Sequence, residues 1–497
     1  MSKRTASTGH GSLATGAVTA LALAVQTGLA AVVGVVIAQK LGYTAETDGF
    51  FAAYGVFIVL ALAATAVRVT VLPPLARARA ERRLSVETAA YAGAVAAAAL
   101  PLALVGILAA EPLAAVLTGF GPQEARDAAA ATLPWLMAAA LGQFAAGLLA
   151  SALAAMDDYV TPAIGYIGGS LVGLALILAR IDENGVDAVA WGMALNAALA
   201  TLVSTLALAR RARAERMPRQ AIRPRRGGMR RRVRELLAGA ALPFALQAIY
   251  LICLPLAARG GVGDQTSFGY AYLMGSAVVA VAASSLGLVT SVPLTRAGID
   301  GRRVATHVDA SSWLALLAIG ATAGIMAVAG GSILSVVLGD AYGTDVGEEI
   351  GLLVVALAPW MVTSVGVSVT FPLVFVVARG ARLPLIALGV LVLHVPIAFA
   401  GEALAGLWGL AAALAVTTAV ALSWMLVLLD ALPATVGELA VAAGTVAAFV
   451  VAAYGLAALV LDGGAAAAAG TALFVLAVAV LRPPGLRASW TYLRELA

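Results

Sequence analysis

The stretch AATAVRVTVLPPLARARAERR, residues 63–83, shows how this chain is organised. An apolar run with one internal arginine, Arg68, is broken by Pro73 and Pro74, and four further arginines follow within ten residues of them. Proline disrupts or ends helices, and arginines collect at the cytoplasmic ends of membrane helices. The stretch therefore indicates the cytoplasmic end of a membrane span that carries one charge inside it.

Composition supports a membrane class for the whole chain. Of 497 residues, 62% are hydrophobic and only 11% are charged, and the mean hydropathy of +0.99 exceeds that of ordinary water-soluble domains. The net charge of +5 comes from arginines in short clusters between apolar runs. Such clusters set membrane topology, so no nucleic-acid partner is expected.

Apolar runs long enough to cross a bilayer recur along the chain, since a crossing needs about 20 residues. They predict an all-α polytopic membrane protein with about 14 transmembrane helices. The predicted spans are 13–39, 49–73, 87–110, 129–154, 159–179, 187–209, 236–258, 267–294, 310–330, 350–377, 383–401, 404–429, 436–461 and 465–481.

Orientation follows from the arginines, which lie in the even-numbered connections, whereas the odd-numbered ones are short or acidic. Both termini are therefore predicted to be cytoplasmic in a multi-pass protein of the inner cell membrane. The first apolar run is too long for the core of a signal peptide, so an uncleaved first helix is expected.

An internal repeat divides the spans. AVQTGLAAVVGVVIAQKLGYTAETDGFFAAY (24–54) is echoed by ALQAIYLICLPLAARGGVGDQTSFGYAY (245–272), and TVLPPLARARAERR (70–83) by TSVPLTRAGIDGRR (290–303). The offset is about 220 residues, and six spans separate equivalent points. An even number of spans gives both halves the same orientation, which predicts two six-helix halves related by pseudo-two-fold symmetry, plus two appended helices. The predicted organisation is a cytoplasmic N-terminus (1–12), a first half (13–209), a basic linker (210–235), a second half (236–429), two further helices (436–481) and a cytoplasmic tail (482–497).

The repeat also bears on the polar residues inside the spans. The position equivalent to Arg68 is Leu288, so the fold alone does not require an arginine. Arg68 is either a ligand in a cavity between the halves or a side chain that snorkels to the headgroups. Gln26 and Gln247 occupy equivalent places and either line a cavity or join helices, and His394 is either a protonatable switch or a hydrogen-bonded core residue.

No catalytic constellation is evident in the sequence. It contains no phosphate-binding Gly-x-x-x-x-Gly-Lys-Ser/Thr loop and no nucleophile elbow. Its three histidines are far apart, and its single cysteine, Cys253, leaves no disulfide framework or thiolate site. We therefore expect no enzyme activity, no cofactor and no metal.

Several segments together resemble one transporter family. LGYTAETDGFFAAY (41–54) followed by VLPPLARA (71–78) is similar to the first loop and second helix of the MurJ/MviN lipid II flippases, and the likeness continues through LLASALAAMDDYVTPAIGYIGGSLVGLAL (148–176), LPFALQAIYLICLPLAA (242–258) and GLVTSVPLTRAG (287–298). That family belongs to the multidrug, oligosaccharidyl-lipid and polysaccharide (MOP) exporters. The resemblance covers nearly the whole chain.

The resemblance implies a flippase that moves a polyprenyl-pyrophosphate-linked glycan, such as a lipid II-like peptidoglycan precursor, by alternating access through a cationic cavity. Membrane lipids and cell-wall synthesis proteins are the implied partners. Asp48 matches a family aspartate. The first helix here lacks the family's arginines, and Ala271 and Tyr272 stand where the family has an Asp-Arg pair, which leaves Arg68 as the cation expected to meet the phosphate and Tyr272 as a further cavity candidate.

Three other functions stay open. One is a flippase for another lipid-linked polysaccharide. Another is a non-transporting scaffold of the cell envelope, which the absent arginines favour. A third is a drug/cation antiporter of the same superfamily, which would usually need carboxylates within its spans.

Overall fold

The computed structural model describes residues 8–215, 228–297, 301–376 and 382–496. Within these ranges the chain is helical and contains no strand, which confirms the all-α membrane class. The predicted N-terminal segment 1–12 and the basic linker 210–235 lie partly outside the described residues. Residues group into two compact units, Met1–Gln247 and Ala248–Ala497. The finer boundaries drawn from the sequence stay predictions.

Fifteen α-helices are named here in chain order. The first unit contains α1 (Thr8–Leu41), α2 (Ala45–Ala80), α3 (Leu84–Leu108), α4 (Ala110–Leu117), α5 (Gln123–Ala154), α6 (Val160–Ala214) and most of α7 (Gly228–Ala257). The second unit contains α8 (Asp264–Ala297), α9 (Gly301–Leu338), α10 (Thr344–Ala356), α11 (Ala358–Val376), α12 (Leu383–Leu428), α13 (Leu432–Ala458), α14 (Gly463–Leu481) and α15 (Pro484–Leu496).

Membrane spans are recognised among these helices by length and composition. In the described part of the chain, nine helices are long and apolar enough to cross a bilayer, and α10 with α11 forms a tenth span bent by 44°. Two of the nine are hairpins, because α6 has 55 residues and α12 has 46, about 80 Å and 70 Å at 1.5 Å per residue. The helices can be matched to the fourteen predicted spans. Each of α6 and α12 accounts for two spans, α10 and α11 together account for one, and α1 and α8 account for one each.

Each hairpin bends at a glycine, and the two glycines share one backbone conformation. Gly185 in α6 has φ 50° and ψ −131°, and Gly406 in α12 has φ 54° and ψ −131°. They are about 220 residues apart, the offset of the sequence repeat. The two units therefore repeat this turn at the level of backbone geometry, in a region of φ and ψ that is essentially restricted to glycine.

The first unit is built on α5, which packs against α2, α3 and α6. Small side chains at the contacts let the helix backbones approach closely, as is usual in membrane helices. Gly49 of α2 lies against the backbone of Ala125 in α5, and Gly142 of α5 lies against Ala197 in α6. This packing fixes the position of α2, the helix that carries Arg68.

The second unit is built on α9, which contacts α10, α11, α13, α14 and α15. Tyr454 of α13 fills the space between α9 and α14, where its ring lies against Gly324 and Gly470. Its hydroxyl donates a hydrogen bond to the Ala321 carbonyl at 3.3 Å and lies 3.0 Å from Thr471 Oγ1. The two C-terminal spans are thus held against α9 by a buried aromatic with its polar end satisfied.

Candidate functional site

Arg68 lies on α2, five residues before Pro73, and its side chain is half-buried. The hydroxyl of Ser151 in α5 faces its carbonyl oxygen at 3.5 Å, so this part of α2 is held against α5. Among the side chains that the structure describes, no carboxylate lies within ion-pair distance of the Arg68 guanidinium. Its positive charge is therefore not neutralised by a described neighbour.

Tyr166 is the neighbour of Arg68 that sequence reasoning missed. It lies on α6, a helix that contacts α2, and the positive charge of Arg68 acts on its hydroxyl electrostatically. The two residues are almost a hundred positions apart, so no spacing rule pairs them. Together they place five N–H donors and one O–H donor on neighbouring helices of one unit, a set that suits an anion.

Other arginines of the first unit are engaged in ion pairs. Three such pairs are Arg79–Glu215 at 3.4 Å, Arg211–Asp158 at 2.9 Å and Arg232–Glu87 at 2.8 Å. The last pair is bidentate and partly buried, with Tyr91 beneath the guanidinium. These contacts tie helix ends together, and none of them involves Arg68.

Asp48 lies far from Arg68 on the same helix. Twenty residues separate them along α2, about 30 Å at 1.5 Å per residue. Asp48 is buried in the first turn of α2, where the helix dipole favours a negative charge. The structure therefore does not bring these two candidates into one site.

The two glutamine candidates occupy comparable places in the fold. Gln26 is half-buried on α1, and Gln247 is half-buried on α7, where it is the last residue of the first unit. Gln247 takes part in a polar or ring contact. A cavity-lining role for either residue stays a prediction.

Tyr272 is enclosed in an aromatic stack. Its side chain is 1% exposed, and its ring stacks on Tyr250 with centroids 3.7 Å apart and lies 4.7 Å from Trp360. The stack joins α7, α8 and α11. The place where the resembled family has a charged pair is thus filled by packed rings, and Tyr272 presents almost no surface to a ligand in this conformation.

His394 is fully buried in α12 with a neighbour at each ring nitrogen. Its Nε2 lies 3.4 Å from the Cys253 sulfur, and its Nδ1 lies 2.9 Å from Thr417 Oγ1. This geometry accords with the hydrogen-bonded core histidine that the sequence left open. A role in ion coupling stays a prediction.

A concave feature lies at the opposite end of the first unit from Pro73. A cavity of about 490 Å³ is lined by four carboxylates, those of Glu46, Glu124, Asp127 and Asp187. Glu46 Oε1 accepts a hydrogen bond from the Val186 backbone N–H at 3.2 Å. In the described residues, these carboxylates and the other Asp, Glu, His and Cys side chains form no group of three placed to hold a metal ion. The cavity is acidic, opposite in charge to the Arg68 region.

Comparison with known proteins supports the fold. No protein-family model matches the sequence, and no characterised protein matches it by sequence. Among solved structures, the chain is similar to the lipid II flippase MurJ in an inward closed conformation, with a TM-score of 0.73 and 11% identity over 93% of this chain and 98% of that chain.

Two other structures extend the comparison. An inward-facing multidrug resistance MATE transporter of the MOP superfamily matches with a TM-score of 0.61 and 15% identity, over 85% of this chain and 95% of that one. A MOP-superfamily transporter from Pyrococcus furiosus, described as having a binding pocket of reversed polarity, matches with a TM-score of 0.54 and 15% identity, over 87% and 94%. Identities this low establish the fold alone. The chain is a multi-pass membrane protein with the fold that MurJ shares with the transporters of the MOP superfamily.

Proposed function

We propose that this protein is a flippase that moves a polyprenyl-pyrophosphate-linked glycan, of the lipid II class, across the cytoplasmic membrane. The proposal is supported by the similarity to a lipid II flippase, which extends over 93% of this chain and 98% of that one. Because multidrug transporters share this fold, the fold alone does not identify the transported substrate. The choice therefore depends on the charge of the candidate site.

The observation that carries the proposal is Arg68, a half-buried arginine without an ion pair among the described side chains. A charge inside a membrane span is costly and marks a functional position by default. The guanidinium offers fixed donors that match phosphate oxygens, and the Tyr166 hydroxyl adds one more. A pyrophosphate headgroup would supply the negative charge that this position lacks.

The expected strength of this contact suits a transporter. Both contacts end on a charged phosphate oxygen, and a hydrogen bond to a charged group contributes about 1.5–3 kcal/mol. Together they correspond to binding between roughly millimolar and tens of micromolar. Such a site can hold the headgroup while it crosses and still release it, and the apolar tail stays in lipid.

The experiment is depletion of the protein in its native host, followed by analysis of lipid-linked glycans on each side of the membrane. We expect a polyprenyl-pyrophosphate glycan to accumulate in the inner leaflet. The purified protein in vesicles should then expose the same lipid to an external glycan-modifying enzyme. Intact cell-wall synthesis with no accumulated precursor would overturn the proposal and favour the non-transporting scaffold.

A second candidate, an antiporter of organic cations, is favoured by the acidic cavity beside Glu46 and by the similarity to MATE transporters. It makes a different prediction. Cells that lack the protein would retain a cationic dye, and Glu46→Gln would reproduce the defect without any accumulation of lipid-linked glycan.

A further inference from the structure

The C-terminal helix α15 differs from the spans that precede it. α14 ends at Leu481 with Val480 and Leu481 more than half exposed, as a lipid-facing helix would. The chain then turns at Arg482, which has φ 42°, and α15 begins two residues later at Pro484. A turn this short keeps the start of α15 close to the level at which the apolar surface of α14 ends.

One face of α15 is fixed against α9. The backbone at Gly485 packs on the Trp313 indole so closely that an added Cβ would lie 2.6 Å from Nε1. Two turns later, Tyr492 OH lies 3.4 Å from His307 Nδ1. From the first contact to the second, the chain advances seven residues along α15 and goes back six residues along α9. The two helices therefore run antiparallel. Ser489, between these contacts, is 4% exposed.

The opposite face of α15 is largely exposed and combines aromatic and basic character. Trp490 is 54% exposed and Arg487 is exposed. Arg482, in the turn before α15, is also exposed, and its Nε donates a hydrogen bond to the Ala479 carbonyl at 2.8 Å. From 463 to the end of α15 at 496 the sequence contains three arginines and one acidic residue, Glu495. Tryptophan concentrates at the membrane–water interface, where its apolar ring and its N–H are both accommodated.

We propose that this outer face, formed by Arg487 and Trp490 together with Arg482 of the preceding turn, binds the headgroup layer of anionic phospholipids. The position and the charge of this face both favour anionic phospholipids as the ligand. The face begins at the level where the lipid-exposed surface of α14 ends. Its arginines complement negatively charged headgroups, and its indole suits the interfacial layer of the membrane. The inference does not depend on what the protein transports.

The test uses the whole protein reconstituted in phosphatidylcholine vesicles that contain an equal amount of phosphatidylglycerol. Either lipid carries brominated acyl chains, which quench nearby tryptophan. The contribution of Trp490 is the difference between the wild type and Trp490→Phe, since the chain has seven tryptophans. We expect brominated phosphatidylglycerol to quench this component several-fold more than brominated phosphatidylcholine.

The double variant Arg482→Asn/Arg487→Gln should abolish the preference, because each arginine near an anionic surface changes partitioning by roughly fivefold. Asparagine is chosen at 482 because it tolerates the left-handed conformation. The matched control Arg77→Gln/Arg210→Gln removes the same charge from exposed positions on α2 and α6 and should keep the preference. Equal quenching by the two lipids would overturn the proposal. So would a Trp490 component that neither lipid quenches, since the face would then contact water or a protein.

Discussion

Lys40 Nζ lies 3.0 Å from Asp182 Oδ1 and joins the end of α1 to the hairpin turn of α6. About 220 residues later the arrangement recurs in the second unit, where Arg259 Nη1 lies 3.5 Å from Glu402 Oε2, beside the turn of α12. The internal repeat has therefore kept an ion pair at equivalent places although both side chains differ, with Lys40 replaced by Arg259 and Asp182 by Glu402, and each charge preserved.

The two pairs should differ in strength. Lys40 and Asp182 are 47% and 70% exposed, and exposed pairs contribute about 0.2–1 kcal/mol. Glu402 is only 21% exposed, and the Arg259 guanidinium also lies 5.3 Å from the centre of the Phe399 ring. We expect Arg259→Ala to cost about 1–2 kcal/mol and Lys40→Ala less than about 1 kcal/mol. Double-mutant cycles on thermal unfolding in detergent would measure both, and a larger cost for Lys40→Ala would contradict this ranking.

Alanine substitutions at the two hairpin glycines, Gly185 and Gly406, can separate the energetic cost of backbone strain from the cost of a steric clash. A Cβ at Gly406 would meet no atom within 4 Å, whereas one at Gly185 would overlap the Glu46 carboxylate. Gly406→Ala should therefore cost about 1–3 kcal/mol from conformation alone, and Gly185→Ala should cost more. Gly444→Ala, in an open position on α13, is the control and should be neutral or slightly stabilising. If Gly406→Ala behaved like this control, the turn geometry would be wrong.

Sequence reasoning anticipated the helices better than their contacts. The apolar runs, the split of α6 and α12 into two spans each, and the repeat follow from local composition and spacing. Local composition does not reveal that Tyr166 lies near Arg68 or that Trp360 packs on Tyr272. Spans that are apolar on all sides lack a polar stripe, and such a stripe would show which face of a helix meets which neighbour. For the same reason, the sequence shows that Ala271 and Tyr272 replace the charged pair of the resembled family, but it does not show that packed aromatic rings surround Tyr272.

A pH dependence is expected from Asp158, in the turn between α5 and α6. Burial alone would raise its pKa, but hydrogen bonds from the Thr161 backbone and hydroxyl, with the nearby Arg211, outweigh burial and lower the pKa. A lowered pKa stabilises the folded state above the carboxyl's unfolded pKa, and this stabilisation is lost as the pH falls through the folded pKa. Asp158→Asn should therefore lower the unfolding temperature at neutral pH and approach the wild type in acid. Asp157→Asn, at the exposed neighbouring position, is the control, and a constant difference between wild type and Asp158→Asn across this pH range would contradict the assignment.

The sharpest test of the candidate site is at Arg68, where charge and geometry can be varied separately. If the guanidinium holds a substrate phosphate, Arg68→Ala loses a charge-assisted contact of about 1.5–3 kcal/mol and should lower transport about tenfold or more. Arg68→Lys keeps the charge but not the bidentate geometry, so it should retain part of the activity. Tyr166→Phe removes one hydrogen bond to the charged phosphate but no charge, and should lower transport on the order of tenfold.

These variants are compared by complementation and by lipid translocation in vesicles, at matched membrane abundance. Arg77→Ala is the control, because Arg77 lies on the same helix, is exposed, and loses the same charge. A snorkelling Arg68 would give another pattern, since lysine reaches the headgroups equally well and alanine would cost only some helix anchoring. Full activity in Arg68→Ala would therefore exclude the ligand role and leave Arg68 as the innermost residue of the basic cluster that sets the orientation of α2.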